Sequence, residues 1–230
     1  VSAEGFVFTE RDPVTGEEKE WHRVPYKHDT YDRAQTYKRP DYSINSKYNF
    51  VTPNWTFQSG ANIISTPAVA GKYVVFGNQE GTVQALRLKN GKKGWQFATG
   101  GPIFSSPAVS GKHIVLGSAD GNIYCLNTKG KLQWKAAAKA AVLGAPLIEG
   151  NVVYIGGSNS TFRALVLQTG RPLWAFDGLT GPVVSQPVIS GNTIIFGAWD
   201  TYLYALDKTS GKLLWQWSNG SPVRNFSPAS

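Results

Sequence analysis

Beyond about residue 60 the chain sets short apolar runs between turns rich in glycine, asparagine and aspartate. One stretch shows the form. Ser105-Ser106-Pro107-Ala108-Val109 leads through Gly111-Lys112 to the run His113-Ile114-Val115-Leu116-Gly117. A turn at Asp120-Gly121 precedes Asn122-Ile123-Tyr124-Cys125-Leu126, and a turn at Lys129-Gly130 precedes Leu132-Gln133-Trp134. This pattern predicts four short strands joined by tight turns. Glycine supplies the positive φ that hairpin turns require, and Asn, Asp and Ser tolerate it or bond back to the backbone. Runs such as Tyr73-Val74-Val75-Phe76 are apolar without alternation, which predicts strands buried on both faces. No segment carries a capped 3.6-residue period, so no helix beyond single turns is expected.

The unit recurs. Trp55, Trp95, Trp134, Trp174 and Trp215 stand 40, 39, 40 and 41 residues apart. Pro67, Pro107, Pro146, Pro187 and Pro228 keep the same register, as do Gly77, Gly117, Gly156 and Gly197. A four-stranded unit of about 40 residues has the size of one propeller blade. A blade lies between two neighbours, which explains middle strands that are apolar on both sides. The repeated tryptophan is expected to plug the gap between successive blades.

The segment from turn to tryptophan resembles the repeat of the pyrroloquinoline-quinone (PQQ) type, Ala-x-Asp-x-x-Thr-Gly-x-x-x-Trp. Ala205-Leu206-Asp207-Lys208-Thr209-Ser210-Gly211-Lys212-Leu213-Leu214-Trp215 matches it with one residue inserted. Ala164 to Trp174 carries Thr169-Gly170, Ala85 to Trp95 carries Asn90-Gly91, and Cys125 to Trp134 is shorter by one. The resemblance covers residues 51–230 and implies an all-β fold of PQQ-type blades. It speaks to fold more than to activity, because this repeat serves many functions. It further implies a periplasmic or secreted protein.

Four blades are expected, at about 65–97, 105–136, 145–176 and 185–217. An orphan outer strand, Asn54-Trp55-Thr56-Phe57, precedes them, and an orphan inner strand, Phe226-Ser227-Pro228-Ala229, follows. Rings of this repeat hold more blades, so the chain resembles a piece of a longer protein with an incomplete ring. An open arc leaves apolar blade faces to be covered. Two copies related by a two-fold axis could cover each other, a homodimer closing the ring. Residues 1–50 lie outside the repeat. Phe6 to Thr9, a turn at Asp12 to Gly16, and Glu20 to Val24 read as a hairpin, and residues 26–50 as a polar linker. The hairpin resembles the terminal part of bacterial calcineurin-like metallophosphoesterases, some of which are fused to propellers. Their Asp-x-His and Gly-Asn-His metal motifs do not occur in this sequence. The chain starts at Val1 with a polar segment and no charged-then-apolar leader, which reads as a processing boundary. No stretch reaches 18 apolar residues, so no membrane-spanning helix is expected.

Charge alters the picture in one respect. The formal net charge is +8, yet residues 1–50 hold eight Lys/Arg against nine Asp/Glu, and residues 51–230 hold fifteen against six. The basic character belongs to the blades. Lys89, Lys92, Lys93, Lys129, Lys131, Arg171, Lys208 and Lys212 recur in the turn before each tryptophan. They line one rim for an anionic partner, or they are the ordinary Thr-Gly-Lys turn of the repeat. Nothing marks a specific nucleic-acid site.

Reactive chemistry has little support. The PQQ alcohol dehydrogenases share the repeat and also carry a vicinal cysteine pair. This chain has the single Cys125, in an apolar strand where a buried thiol is expected. Trp199-Asp200 is the one aromatic–acid doublet in a blade turn and reads as an exposed turn. No cofactor is predicted. His22 and His28, with Asp29 and Asp32, fit no zinc spacing, and no metal is predicted. Ser65, Ser105 and Ser185 recur in register and no Gly-x-Ser-x-Gly elbow occurs, so no catalytic residue is assigned.

The reading is a non-catalytic binding or scaffold module that serves a protein or anionic ligand, with or without a fused enzyme. Its face is expected to present Ile64, Ser65, Thr66, Phe104, Ser105, Ser106, Ser185, Gln186, Arg224 and Asn225, with Trp199 and Asp200 beside them. The alternatives are a fragment of a PQQ-dependent oxidoreductase and a scaffold of the outer-membrane assembly type. The fold itself makes the first prediction: a far-ultraviolet circular dichroism spectrum dominated by strand, in which a helix content of about a fifth or more would contradict the blade pattern.

Overall fold

The computed structural model describes residues 6–11, 18–23 and 53–218. Contacts divide the chain into Val1–Thr52 and Pro53–Ser230. In the first unit β1 (Phe6–Arg11) pairs antiparallel with β2 (Glu18–Arg23), Phe6 opposite Arg23 and Arg11 opposite Glu18. The 26–50 segment read as a linker, with His28, Asp29 and Asp32, lies outside the described residues.

The second unit consists of four antiparallel four-stranded sheets, each a consecutive meander. Blade 1 is β3 (Ala68–Ala70), β4 (Tyr73–Gly77), β5 (Thr82–Arg87) and β6 (Lys93–Ala98). Blade 2 is β7 (Ala108–Ser110), β8 (His113–Gly117), β9 (Asn122–Asn127) and β10 (Leu132–Ala137). Blade 3 is β11 (Leu147–Glu149), β12 (Val152–Gly156), β13 (Phe162–Val166) and β14 (Pro172–Phe176). Blade 4 is β15 (Val188–Ser190), β16 (Thr193–Gly197), β17 (Tyr202–Asp207) and β18 (Leu213–Ser218). The described residues contain no helix.

The unbroken apolar runs serve two interfaces at once. In blade 2, Ile114, Leu116, Tyr124 and Leu126 pack with Val75, Val83 and Ala85 of blade 1. The alternate residues Val115, Ile123 and Cys125 pack with Val153, Ile155 and Leu165 of blade 3. Blades 3 and 4 meet through Tyr154, Phe162 and Ala164 against Ile194, Phe196, Tyr204 and Leu206, with Phe162 and Phe196 stacked at 3.9 Å. The core is therefore a series of interblade layers. Each fully buried aliphatic or aromatic side chain in them contributes about 1.5–3 kcal/mol.

The outer strand of every blade carries a register shift just before its tryptophan, at Ala85/Leu86, Leu132/Trp134, Ala164/Leu165 and Ala205/Leu206. Such a bulge adds twist and re-aims the next side chain. It turns the indole onto the following blade. Trp95 donates its Nε1–H to the Thr128 carbonyl at 3.0 Å, Trp134 to Leu167 at 2.7 Å, and Trp174 to Lys208 at 3.1 Å. Each ring covers a turn glycine, Gly130, Gly170 and Gly211 in turn, at φ of 77°, 69° and 72°. A Cβ on Gly170 would stand 2.6 Å from the Trp134 ring. The turn thus needs glycine twice, for its dihedral and for the indole's approach.

Trp55 makes the same contact with blade 1, donating to the Leu88 carbonyl at 2.8 Å over Gly91. The segment Asn54 to Phe57 is nevertheless not a strand, contrary to the sequence expectation. A strand needs a hydrogen-bonded neighbour, and no described strand pairs with this segment. The other orphan, Phe226 to Ala229, lies outside the described residues.

Trp134 is 8% exposed and Trp215 is 42% exposed, which separates their roles. Trp134→Ala is expected to cost about 3–5 kcal/mol in urea unfolding, as other large-to-small core changes do. Trp215→Ala is expected to cost less than about 1 kcal/mol. Equal losses would contradict the interblade role.

Candidate functional site

The serines and Gln186 among the residues expected to face a ligand lie where the chain enters each blade, and they hold backbone. Ser65 accepts the Gly77 N–H at 3.1 Å and donates to the Gly77 carbonyl at 3.0 Å. Ser105 accepts the Gly117 N–H at 3.0 Å and donates to the Gly144 carbonyl of blade 3 at 2.8 Å. Ser185 donates to the Gly197 carbonyl at 3.0 Å. Ser65 and Ser105 are buried, and their hydroxyls are engaged in clipping the entry loop to the end of the second strand. Ser106 takes the Thr66 N–H at 2.8 Å across the blade 1–blade 2 step. Gln186 donates to the Pro146 carbonyl at 3.3 Å across the blade 3–blade 4 step. Phe104 is half-buried beside them, while Ile63 and Ile64 are exposed. Arg224 and Asn225 lie outside the described residues.

A second polar constellation lies in the turn between the middle strands. Asp120 Oδ2 accepts from the Gly100 N–H at 2.8 Å and from the Tyr124 hydroxyl, and its Oδ1 takes the Asn122 N–H at 3.0 Å. Asp200 repeats this, accepting from the Thr180 N–H at 3.0 Å, the Tyr204 hydroxyl at 2.8 Å and the Tyr202 N–H at 3.1 Å. Each aspartate thus clips the loop arriving from the preceding blade. Burial pushes the Asp120 carboxyl up, but the hydrogen bonds from Tyr124, Asn122 and Gly100 outweigh it and hold the group below the usual range. Burial, then the Asp120 carboxylate, push the Tyr124 hydroxyl up to about 12. Of the doublet Trp199-Asp200, Trp199 is 69% exposed and Asp200 is half-buried. Sequence reading missed this clip, although Asp120 to Tyr124 and Asp200 to Tyr204 share one spacing.

Blade 3 departs from the scheme. Asn159 and Arg163 stand where Asp120 and Tyr124 stand in blade 2. Both donate to the Ala138 carbonyl, Asn159 Nδ2 at 3.2 Å and Arg163 at 3.1 Å. Burial pulls the Arg163 guanidinium down from its ordinary pKa, and Asp177 opposes the change.

The basic turn residues lie at the opposite rim, largely exposed. Lys208 bridges to Glu149 at 2.8 Å, and its carbonyl accepts from Trp174 and Tyr154, so this turn is a structural joint as well as a charge. Cys125 is fully buried, and burial pushes its thiol up to about 12. Blade 4 instead exposes apolar side chains: Leu203, Leu214, Trp215 and Trp217 are 37%, 52%, 42% and 52% exposed. No group of three or more potential metal ligands occurs among the described residues.

The PQQ_2 family model, described as outer membrane protein assembly factor BamB, matches residues 79–226, well over half of the chain. The chain belongs to this family. Among solved structures it is similar to BamB from Moraxella catarrhalis, with 21% identity and a TM-score of 0.62 over 70% of this chain and 55% of that one. The computationally designed Ika4 protein has 19% identity and a TM-score of 0.58 over 72% of this chain and 96% of that one. A quinohemoprotein alcohol dehydrogenase from Pseudomonas putida HK5 has 15% identity and a TM-score of 0.62 over 71% and 35%. The chain therefore spans about half the length of the Moraxella BamB and a third of the dehydrogenase. These likenesses establish the fold. No curated protein sequence matches the chain.

The Asp120 clip predicts a pH dependence. A carboxyl whose pKa is depressed on folding stabilises the fold above its unfolded value of about 3.9, and that stability is lost as pH falls through the folded value. Asp120→Ala is expected to cost about 1–3 kcal/mol at pH 6 from the lost charged hydrogen bonds. The difference from the parent should shrink by pH 3, in urea unfolding at both pH values. A difference that is independent of pH would contradict the clip.

Proposed function

We propose that the chain is a non-catalytic blade module of the BamB type that holds or docks other protein in the cell envelope. One observation carries this reading. The recurrent polar side chains at the blade edges, Ser65, Ser105, Ser185, Asp120 and Asp200, are engaged on backbone groups and converge on no reacting position. The family description supports the envelope and an assembly role over soluble metabolism. The exposed Leu203, Trp215 and Trp217 supply an apolar surface of the composition that protein interfaces favour.

The oxidoreductase alternative makes an opposite claim. PQQ with calcium, titrated into the full chain, is expected to leave tryptophan emission without a saturable quench and to support no dye-linked alcohol oxidation. A saturable quench with turnover would overturn the scaffold reading.

A homodimer is one form this docking takes, and Trp55 constrains it. The indole of Trp55 already covers Gly91, the place to which Trp215 of a second copy would go. The two arcs would have to meet through a blade shared between Trp55 and the region of Phe226. Sedimentation equilibrium at micromolar concentration decides between a dimer and a 25.0 kDa monomer, and the monomer would end the ring-closing proposal.

A further inference from the structure

The groove between blades 2 and 3 lacks side chains that fill the other two. Two residues after its tryptophan, blade 1 places Phe97 and blade 3 places Phe176. Phe97 packs on Tyr124 at 5.7 Å between ring centroids, and Phe176 on Tyr204 at 6.1 Å. Blade 2 has Ala136 at that position, and across the groove Arg163 replaces the tyrosine. The aspartate that caps the loop N–H of Gly100 and Thr180 is replaced by Asn159, whose amide turns to the Ala138 carbonyl. Among the described residues no carboxylate caps the equivalent Lys139 N–H. One groove has thus lost a benzyl ring, a phenol ring and a carboxylate, and has gained a guanidinium.

A cavity of about 470 Å³ occupies the place. Its floor is the buried Ile123 and Leu165, its wall includes Ala136 and Arg163, and its mouth is the exposed Lys139 and Pro172. The volume is that of a small-molecule site. Arg163 has five N–H donors and spends one on Ala138, so a fork remains for a planar anion. Asp177 is the carboxylate whose charge reaches Arg163, and the two form no ion pair. Lys135 borders the cavity by its backbone strand but sends its Nζ over the Tyr124 ring, 5.3 Å from the centroid, away from this groove.

We propose that this groove is a binding site for an aromatic carboxylate, with the ring on Ala136, Ile123 and Leu165 where phenylalanine packs in the sister grooves, and the carboxylate on Arg163 and the Lys139 N–H. The chemistry is common to a free aromatic acid and to a chain ending in an aromatic residue. The site is independent of the scaffold reading and stands or falls separately.

The test is calorimetric titration of the full chain with 3-phenylpropanoate, with 3-phenylpropanamide as the uncharged analogue and N-acetylphenylalanine as the chain-end analogue. One-to-one saturable binding of the acid is expected, with the amide at least about tenfold weaker, a difference of about 1.4 kcal/mol. Ala136→Phe refills the groove and is expected to abolish binding without lowering Tm. Arg163→Met is expected to weaken the acid about tenfold or more and leave the amide unchanged. Tighter binding of N-acetylphenylalanine than of the free acid assigns the site to a chain end, and the reverse assigns it to a metabolite. Failure of the acid to saturate, equal binding of acid and amide, or full binding by a folded Ala136→Phe variant would overturn the proposal.

Discussion

The interaction on which the arc depends is an indole laid over a glycine. Four times along the chain a tryptophan, Trp55 ahead of blade 1 and then one in the outer strand of each of the first three blades, covers the turn glycine of the next blade and hydrogen-bonds a carbonyl two or three residues before it. The contact fixes three things at once. It sets the distance between blades, because a Cβ on the glycine would collide with the ring. It sets their rotation, because the N–H is bonded to one backbone carbonyl of the next turn. At the buried Trp134 it also satisfies an indole donor that would otherwise be costly. A blade's apolar layers have little directional preference of their own, so this polar contact selects one packing among many.

Contacts of this kind make a quasi-one-dimensional object. Each blade answers to its two neighbours, and stability is close to a sum of blade and interface contributions. The ends are then the weak points. Blade 1 is covered in part by Trp55 and by Phe57, whose ring meets Phe76 at 6.2 Å. Gln84, at the position of Tyr124 and Tyr204, is buried there with its Oε1 unpartnered among the described residues. Such an orphan costs free energy, and it lies on the face turned away from blade 2. At the opposite end Trp215 covers no glycine among the described residues and is 42% exposed. Among the described residues the two ends differ in kind, one capped by Trp55 and Phe57 and the other exposing Trp215 and Trp217.

The fold was legible because the chain repeats. Tryptophan, proline and glycine in one register gave blade number and boundaries, and the doubly apolar runs gave the sandwiching. What the residues do at each position was less legible, because a period says that positions are equivalent without saying which way they point. Ser65, Ser105 and Ser185 look like a ligand-facing row, and in space they are clips to backbone. Asn54 to Phe57 reads as a strand from its likeness to later blades, yet a strand also requires a partner. The Asp–Tyr clip shows in the sequence only as a repeated spacing, which does not say that Asp120 and Asp200 reach back to the loop N–H groups of Gly100 and Thr180.

In a repeat protein the residues that obey the repeat are explained by the fold, so function is best sought where equivalent positions disagree. Trp95, Trp134 and Trp174 agree, and their roles are the same. Phe97, Ala136 and Phe176 disagree, as do Tyr124, Arg163 and Tyr204. These two disagreements fall in one groove, and the replacement of the aspartate by Asn159 is a third. A single truncation to alanine would be a packing defect costing a few kcal/mol. A truncation facing an arginine on an apolar floor is different, because partly desolvating that guanidinium has a cost that no hydrophobic collapse returns. An unfilled hole and a desolvated cation are each unfavourable alone. A ligand that carries a ring and a negative charge relieves both together, and that shared relief is the physical reason for assigning chemistry to this groove rather than to its two filled sisters.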